Sequence, residues 1–155
     1  MTGKRGLATV FIALTAVGWV AQASCAETQS QHEPAPSQWH VGSTWAISVF
    51  GSANQLVGSM VVRLTGKMAR SCIVGDWRQI EILKRQFTHN ESLATRPLSY
   101  SIVGNTLTLG ATEVCDGYVF LHGVVTDSGT TGDYGTLGLK GFTRLGSFTA
   151  VAVKD

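Results

Sequence analysis

The sequence predicts an all-β fold, a single-domain antiparallel eight-stranded meander barrel, on three observations. Apolar and polar residues alternate in short runs between glycine-containing turns. The clearest case is Leu98–Val125, where Leu98, Tyr100 and Ile102 share one side, Gly104-Asn105 turns the chain, and Leu107 and Leu109 repeat the pattern. Charged residues make up only 14% of the chain and glycines number 18, which suits strands joined by tight turns better than helices. The 155 residues, 44% of them hydrophobic, fit one domain with an ordinary core.

That domain is preceded by two segments of different character. Lys4 and Arg5 lead into an uncharged, mostly apolar run from Leu7 to Ala21, shorter than the roughly 20 residues a membrane span needs, so residues 1–26 read as a secretory signal peptide. Small residues suit cleavage after Ala23 or after Ala26. Ala23-Ser24-Cys25 also partly resembles a lipoprotein box, which would lipidate Cys25 and tie the protein to a membrane, although Gln22 stands where that box has an aliphatic residue. Residues 27–38, ETQSQHEPAPSQ, read as a disordered linker. The barrel then occupies 39–155, and a periplasmic or secreted location follows.

Export changes two arguments. Loss of Lys4 and Arg5 from the 12 basic residues leaves as many bases as the 10 acids, so no nucleic-acid partner is expected. Cleavage after Ala26 would leave Cys72 and Cys115, an even pair in an oxidising compartment, and a disulfide between them. The loop so closed stabilises by roughly 3–4 kcal/mol in the chain-entropy treatment. Both cysteines with His89 or His122 can be drawn as a zinc site, but no short Cys-x-x-Cys or His-x-x-x-His spacing accompanies them. No metal or other cofactor is expected.

Within the barrel, Trp45, Ile47 and Val49 alternate with Ala46 and Ser48 to give a first strand near 45–50. Gly51–Asn54 turns the chain into a second near 56–64, with Gly58, Met60, Val62 and Leu64 on one face. Gly66–Gly75 is irregular. Trp77, Ile80 and Leu83 fit a helical face, yet the β-branched Ile80 and Ile82 favour a strand near 77–84. Phe87–Arg96 is a polar loop whose Asn90-Glu91-Ser92 would be a glycosylation site in a eukaryotic host. After the hairpin of strands near 98–103 and 105–109, a strand near 117–125 is apolar on both sides: Tyr118, Phe120 and Val124 on one, Val119, Leu121 and Val125 on the other. Such a strand wants cover on both faces. Asp127–Gly132 is a glycine-rich turn, and strands near 133–139 and 146–153 complete the eight. Short connections place sequence neighbours side by side, and closure removes exposed edges.

With Gly42 just before Trp45, eight strands and a disulfide across the middle, residues 39–155 resemble a lipocalin-like, or more broadly calycin-like, small barrel. The lipocalin Gly-x-Trp is here Gly42-Ser43-Thr44-Trp45, one residue longer. The resemblance implies an exported non-enzymatic binding protein, holding a small apolar ligand or a macromolecular partner such as another extracellular protein. Secreted inhibitors of proteases and lysozymes use comparable barrels, so inhibition of an extracellular hydrolase is the alternative.

Trp45, Met60, Tyr100 and Phe120, each from an apolar parity of a different strand, are expected to converge on one interior lining. Gly58 would hold the opposite wall back and leave a pocket. His122 lies inside an apolar strand, either half-buried with one hydrogen bond or in contact with ligand; with an acid it would be the visible part of a barrel-mouth enzyme, the third reading. No Gly-x-Ser-x-Gly or His-Glu-x-x-His occurs. Charge divides along the chain: Arg63–Arg96 has an excess of bases, whereas Pro97–Leu139 has only acids, Glu113, Asp116, Asp127 and Asp133. Such a division suits either a solvated surface or a charged partner.

Overall fold

A computed structural model describes residues 39–88 and 92–154. The expected signal peptide, linker, Cys25 and Asn90 lie outside the described residues. Eight strands follow chain order around a closed barrel: β1 Thr44–Gly51, β2 Leu56–Met68, β3 Arg78–Phe87, β4 Ser99–Val103, β5 Thr106–Gly110, β6 Tyr118–Thr126, β7 Gly129–Gly138 and β8 Gly141–Ala152. Every neighbouring pair is antiparallel, and β8 returns to β1 through Trp45↔Ala152 to Gly51↔Gly146. The all-β meander barrel is therefore the fold.

Several sequence-based boundaries shift: β2 runs on to Met68 and β3 to Phe87, β8 starts at Gly141 rather than near 146, and two further differences have local reasons. Asp127–Gly132 is not one long turn: the reversal needs only Asp127 and Ser128, and the Thr126 hydroxyl donates to Gly129 O at 2.9 Å to close it. The β-branched Thr130 and Thr131 then pair at once with Val125 and Val124. Within the expected polar loop, Ser92–Thr95 forms a short helix, α1. Arg85 Nη1 donates to Leu93 O at 2.9 Å and Arg96 O at 3.0 Å, holding the carbonyls around that turn.

Inward-facing residues come from alternating positions. Trp45, Ile47 and Val49 on β1 meet Met60, Val62 and Leu64 on β2, Leu107 and Leu109 on β5, Leu121 on β6, and Phe148 and Ala150 on β8. Trp39 stacks on Trp45 with centroids 3.7 Å apart at one end of the barrel. At the other end α1 brings Leu93 into the core, so both ends are plugged. Trp45, Val49, Val62, Leu107, Leu109 and Leu121 all show 0% exposure, whereas a ligand-sized chamber would leave its lining accessible.

The space expected opposite Gly58 is also occupied. Gly58 pairs with Phe87, and a Cβ at Gly58 would lie 2.0 Å from that ring, so the aromatic side chain fills the gap that the glycine leaves. A barrel of eight strands is just narrow enough to be filled by its own side chains, and this one is.

Candidate functional site

Of the expected lining residues, Trp45, Met60 and Tyr100 are in the core, with Tyr100 donating its hydroxyl to Thr65 O at 3.0 Å. Phe120 is not with them. On β6 the smaller set, Val119, Leu121, Gly123 and Val125, faces inward, and Tyr118, Phe120, His122 and Val124 face out. Close packing explains the choice, because the interior already holds Trp45, Met60, Tyr134 and Phe148. Gly123 and Gly132 pair in the interior row beside Phe148, where small residues are required.

Of the outward set, Tyr118, Phe120 and His122 wall a groove of about 350 Å³, completed by Ile73, Trp77, Thr108, Asp133, Leu137 and Phe142. Register builds it. Tyr118 lies opposite Leu137, which lies opposite Phe142, and Phe120 lies opposite Gly135. A Cβ at Gly135 would come within 2.3 Å of the Phe142 ring, so the glycine lets Phe142 lie down over β7. Phe120 then meets Phe142 at 5.5 Å and Tyr118 at 5.7 Å between centroids, both tilted.

The remaining wall comes from the β2–β3 loop. Ala69 N–H donates to Trp77 O at 2.9 Å, Cys72 N–H to Thr112 O at 2.9 Å, and a Cys72–Cys115 disulfide ties this loop to the one joining β5 and β6. Trp77 is thereby 5% exposed although it stands outside the barrel core, and its indole Nε1 is buried without a hydrogen-bond partner. Burial also raises the Tyr118 phenol above its ordinary pKa.

A polar row runs beside the rings. Thr108 Oγ1 and His122 Nδ1 are 3.0 Å apart, His122 pairs across the ladder with Asp133, and Asp133 Oδ1 receives Arg144 Nε at 2.7 Å. Hydroxyl, imidazole and carboxylate thus stand in one line, but the line is not a nucleophile triad. The hydroxyl takes the nitrogen that an orienting acid would need, and the carboxylate is turned to Arg144. Among the described residues no group of three or more His, Cys, Asp or Glu is placed to hold a metal ion.

No family model, curated protein or solved structure matches the chain. The site therefore has to be read from its own chemistry. Sequence reasoning placed Phe120 and His122 near a site, but it missed Trp77, Leu137 and Phe142 as their neighbours. The available signal was the double apolar parity of β6, which demands a covered outer face. Two exposed tips flank the same groove: Val74, next to Ile73, is 100% exposed, and Leu139, in the hairpin between Leu137 and Phe142, is 96% exposed.

The charge division also resolves into parts. Arg63 pairs with Glu81 at 3.0 Å on the outer wall, while Arg85 is committed to α1. The disulfide is the kind of bond an oxidising compartment permits. Among the described residues no helix is long and apolar enough to cross a membrane.

Proposed function

We propose that this is an exported, non-enzymatic binding protein that holds a small ligand by its apolar face on the outside of the barrel wall. The carrying observation is the groove of about 350 Å³ over β6–β8, where Phe120 and Phe142 present their rings and the buried Trp77 and Tyr118 back them, a volume within the range of ligand sites. Support for export comes from the N-terminal sequence pattern and the disulfide. Kinship with lipocalins would be one of architecture, with recognition moved from the chamber to the outer wall.

The test is a titration of the mature protein with the fluorescent apolar probe N-phenyl-1-naphthylamine. Loss of one contacting ring removes roughly 1.5–3 kcal/mol of burial, so Phe142→Ala should weaken binding about ten- to hundredfold. Met60→Leu, a volume-conserving change in the core, should leave it unchanged. Equal binding by the wild type and Phe142→Ala would refute the outer-wall site.

Inhibition of an extracellular hydrolase is the second reading, favoured by the bare Val74 on a loop braced by the disulfide. A preorganised loop with an exposed apolar tip can enter a cleft at low entropic cost. Val74→Asp should then abolish inhibition of a susceptible lysozyme or protease. Failure to inhibit any member of a panel of both enzyme classes would remove this reading.

A further inference from the structure

We infer that the ligand of the groove is a neutral saccharide, stacked on the rings by its C–H face and hydrogen-bonded at its edge by the row Thr108, His122 and Asp133. This deepens the outer-wall reading and stands only if that groove is the binding surface.

The groove is chemically two-sided. One side offers the tilted pair Phe120 and Phe142, 5.5 Å apart, with Tyr118 and Trp77 beside them. The other offers polar groups with capacity to spare. His122 is exposed and commits Nδ1 to Thr108, leaving Nε2 for a ligand. Asp133 gives Oδ1 to Arg144, leaving Oδ2. Arg144 divides its Nε between Asp133 Oδ1 and Gly146 O at 3.2 Å, and so neutralises the carboxylate from behind. An imidazole nitrogen and a carboxylate oxygen of two groove-lining side chains that face each other across the ladder therefore stand at the margin of the rings, with Arg144 behind Asp133 balancing its charge.

Charge narrows the ligand class. An anion would meet Asp133, and a cation would meet Arg144; the pair presents no net charge, so neither gains from the site. A wholly apolar probe can rest on the rings alone, but it leaves the His122 and Asp133 edge unused, and one large enough to cover them would strip their water without replacing the hydrogen bonds. What remains is a neutral molecule with one apolar face and an edge rich in groups that both donate and accept. Pyranose rings have that form: axial C–H bonds make the face, and vicinal hydroxyls match an acceptor and a donor side by side.

The experiment is a calorimetric titration of the mature protein with short neutral oligosaccharides (cello-, malto-, xylo- and N-acetylchito-series), with galacturonate and glucosamine oligomers as charged counterparts. Tryptophan emission is followed in parallel, with Trp77→Phe separating any change at Trp77 from the core Trp39 and Trp45. Saturable binding of at least one neutral series is expected, about tenfold or more tighter than its charged counterparts. Phe142→Ala and Asp133→Asn should each weaken it by tenfold or more. His122→Gln, an exposed and conservative change, provides a second polar-edge variant, also expected to weaken binding, if Asp133→Asn lowers the unfolding midpoint. Absence of binding by every neutral series, while N-phenyl-1-naphthylamine still binds in a Phe142-dependent way, would overturn the saccharide inference and leave the outer-wall site standing. Saccharide binding indifferent to Phe142 and to the polar-edge variants would overturn it as well, since the sugar would sit elsewhere. Loss of Phe142 dependence for the probe would instead refute the outer-wall reading itself, and the inference with it.

Discussion

Removing the Cys72–Cys115 bond should cost the protein stability and ligand affinity together, because the same bond closes a long loop and positions one wall of the groove. The cysteines are separated by 43 positions. A loop of this size carries about 4 kcal/mol in the chain-entropy treatment at 25 °C. At this domain size about 4 °C of midpoint accompanies each kcal/mol, so Cys72→Ser/Cys115→Ser should unfold roughly 15 °C lower. Double replacement avoids a free thiol. The Cys72 and Ala69 amide bonds to Thr112 O and Trp77 O remain available, so the barrel should still form. Trp77 and Ile73, however, lose the tether that holds their loop against β5 and β6. Thermal unfolding by circular dichroism measures the first effect, and N-phenyl-1-naphthylamine titration the second. A midpoint within about 3 °C of the wild type would refute the loop-entropy argument. Unchanged probe affinity would show that the groove does not depend on the braced loop.

Three further outcomes separate core, end plug and ionisation. Leu121→Ala, at 0% exposure, should cost about 2–5 kcal/mol in urea unfolding, whereas Phe142→Ala, at 48% exposure, should cost less than about 1 kcal/mol while damaging the groove. Arg85→Met should lose its two bonds to the carbonyls of Leu93 and Arg96, at about 1–3 kcal/mol, and hydrogen exchange should accelerate first around α1. Burial raises the phenols of Tyr100 and Tyr118 above 10.0, with Arg78 partly opposing this at Tyr100. The folded chain then keeps both phenols neutral after the unfolded chain has begun to ionise. Their contribution is complete below pH 10.0 and is lost as pH rises through the folded values; ultraviolet titration of the folded and denatured protein checks the order.

The sequence was most informative where a single period decides the structure. Trp45, Ile47 and Val49 alternate with the small Ala46 and Ser48, and all three face inward. The Gly104-Asn105 turn joins β4 to β5 as expected, with Gly104 at φ 60°. Legibility failed wherever the answer depended on a residue distant in sequence. Gly58 looked like a vacancy because Phe87, its filler, belongs to another strand. Arg85 looked like a surface charge because the carbonyls it serves appear only when α1 folds back over the barrel end. Phe120 is expected inward on its apolar parity, yet both parities of β6 are apolar and the smaller set goes in once the interior is full. Parity within a strand is local information; which parity faces in is settled by the volume that seven other strands leave.

The outer face of β6 shows why contiguity, rather than hydrophobicity, marks the site. Val124 shares that face with Phe120 and is 50% exposed, but its partners across the two ladders are Thr106 and Thr131. A single valine between threonines is ordinary surface, since isolated apolar residues are common there. Phe120 and Tyr118, two and three steps back along the same parity, meet Leu137 and Phe142 from the neighbouring strands and Trp77 and Ile73 from the braced loop. His122 and its polar row lie between these two regions, so the apolar surface stops where the hydrogen-bonding side chains begin. The loop and Phe142 do cover Tyr118 and Trp77, which are 7% and 5% exposed, so these two rings seal the outer face of β6. Phe142 is itself 48% exposed and borders an open groove with the half-buried Phe120, an apolar surface that simple closure of β6 does not require.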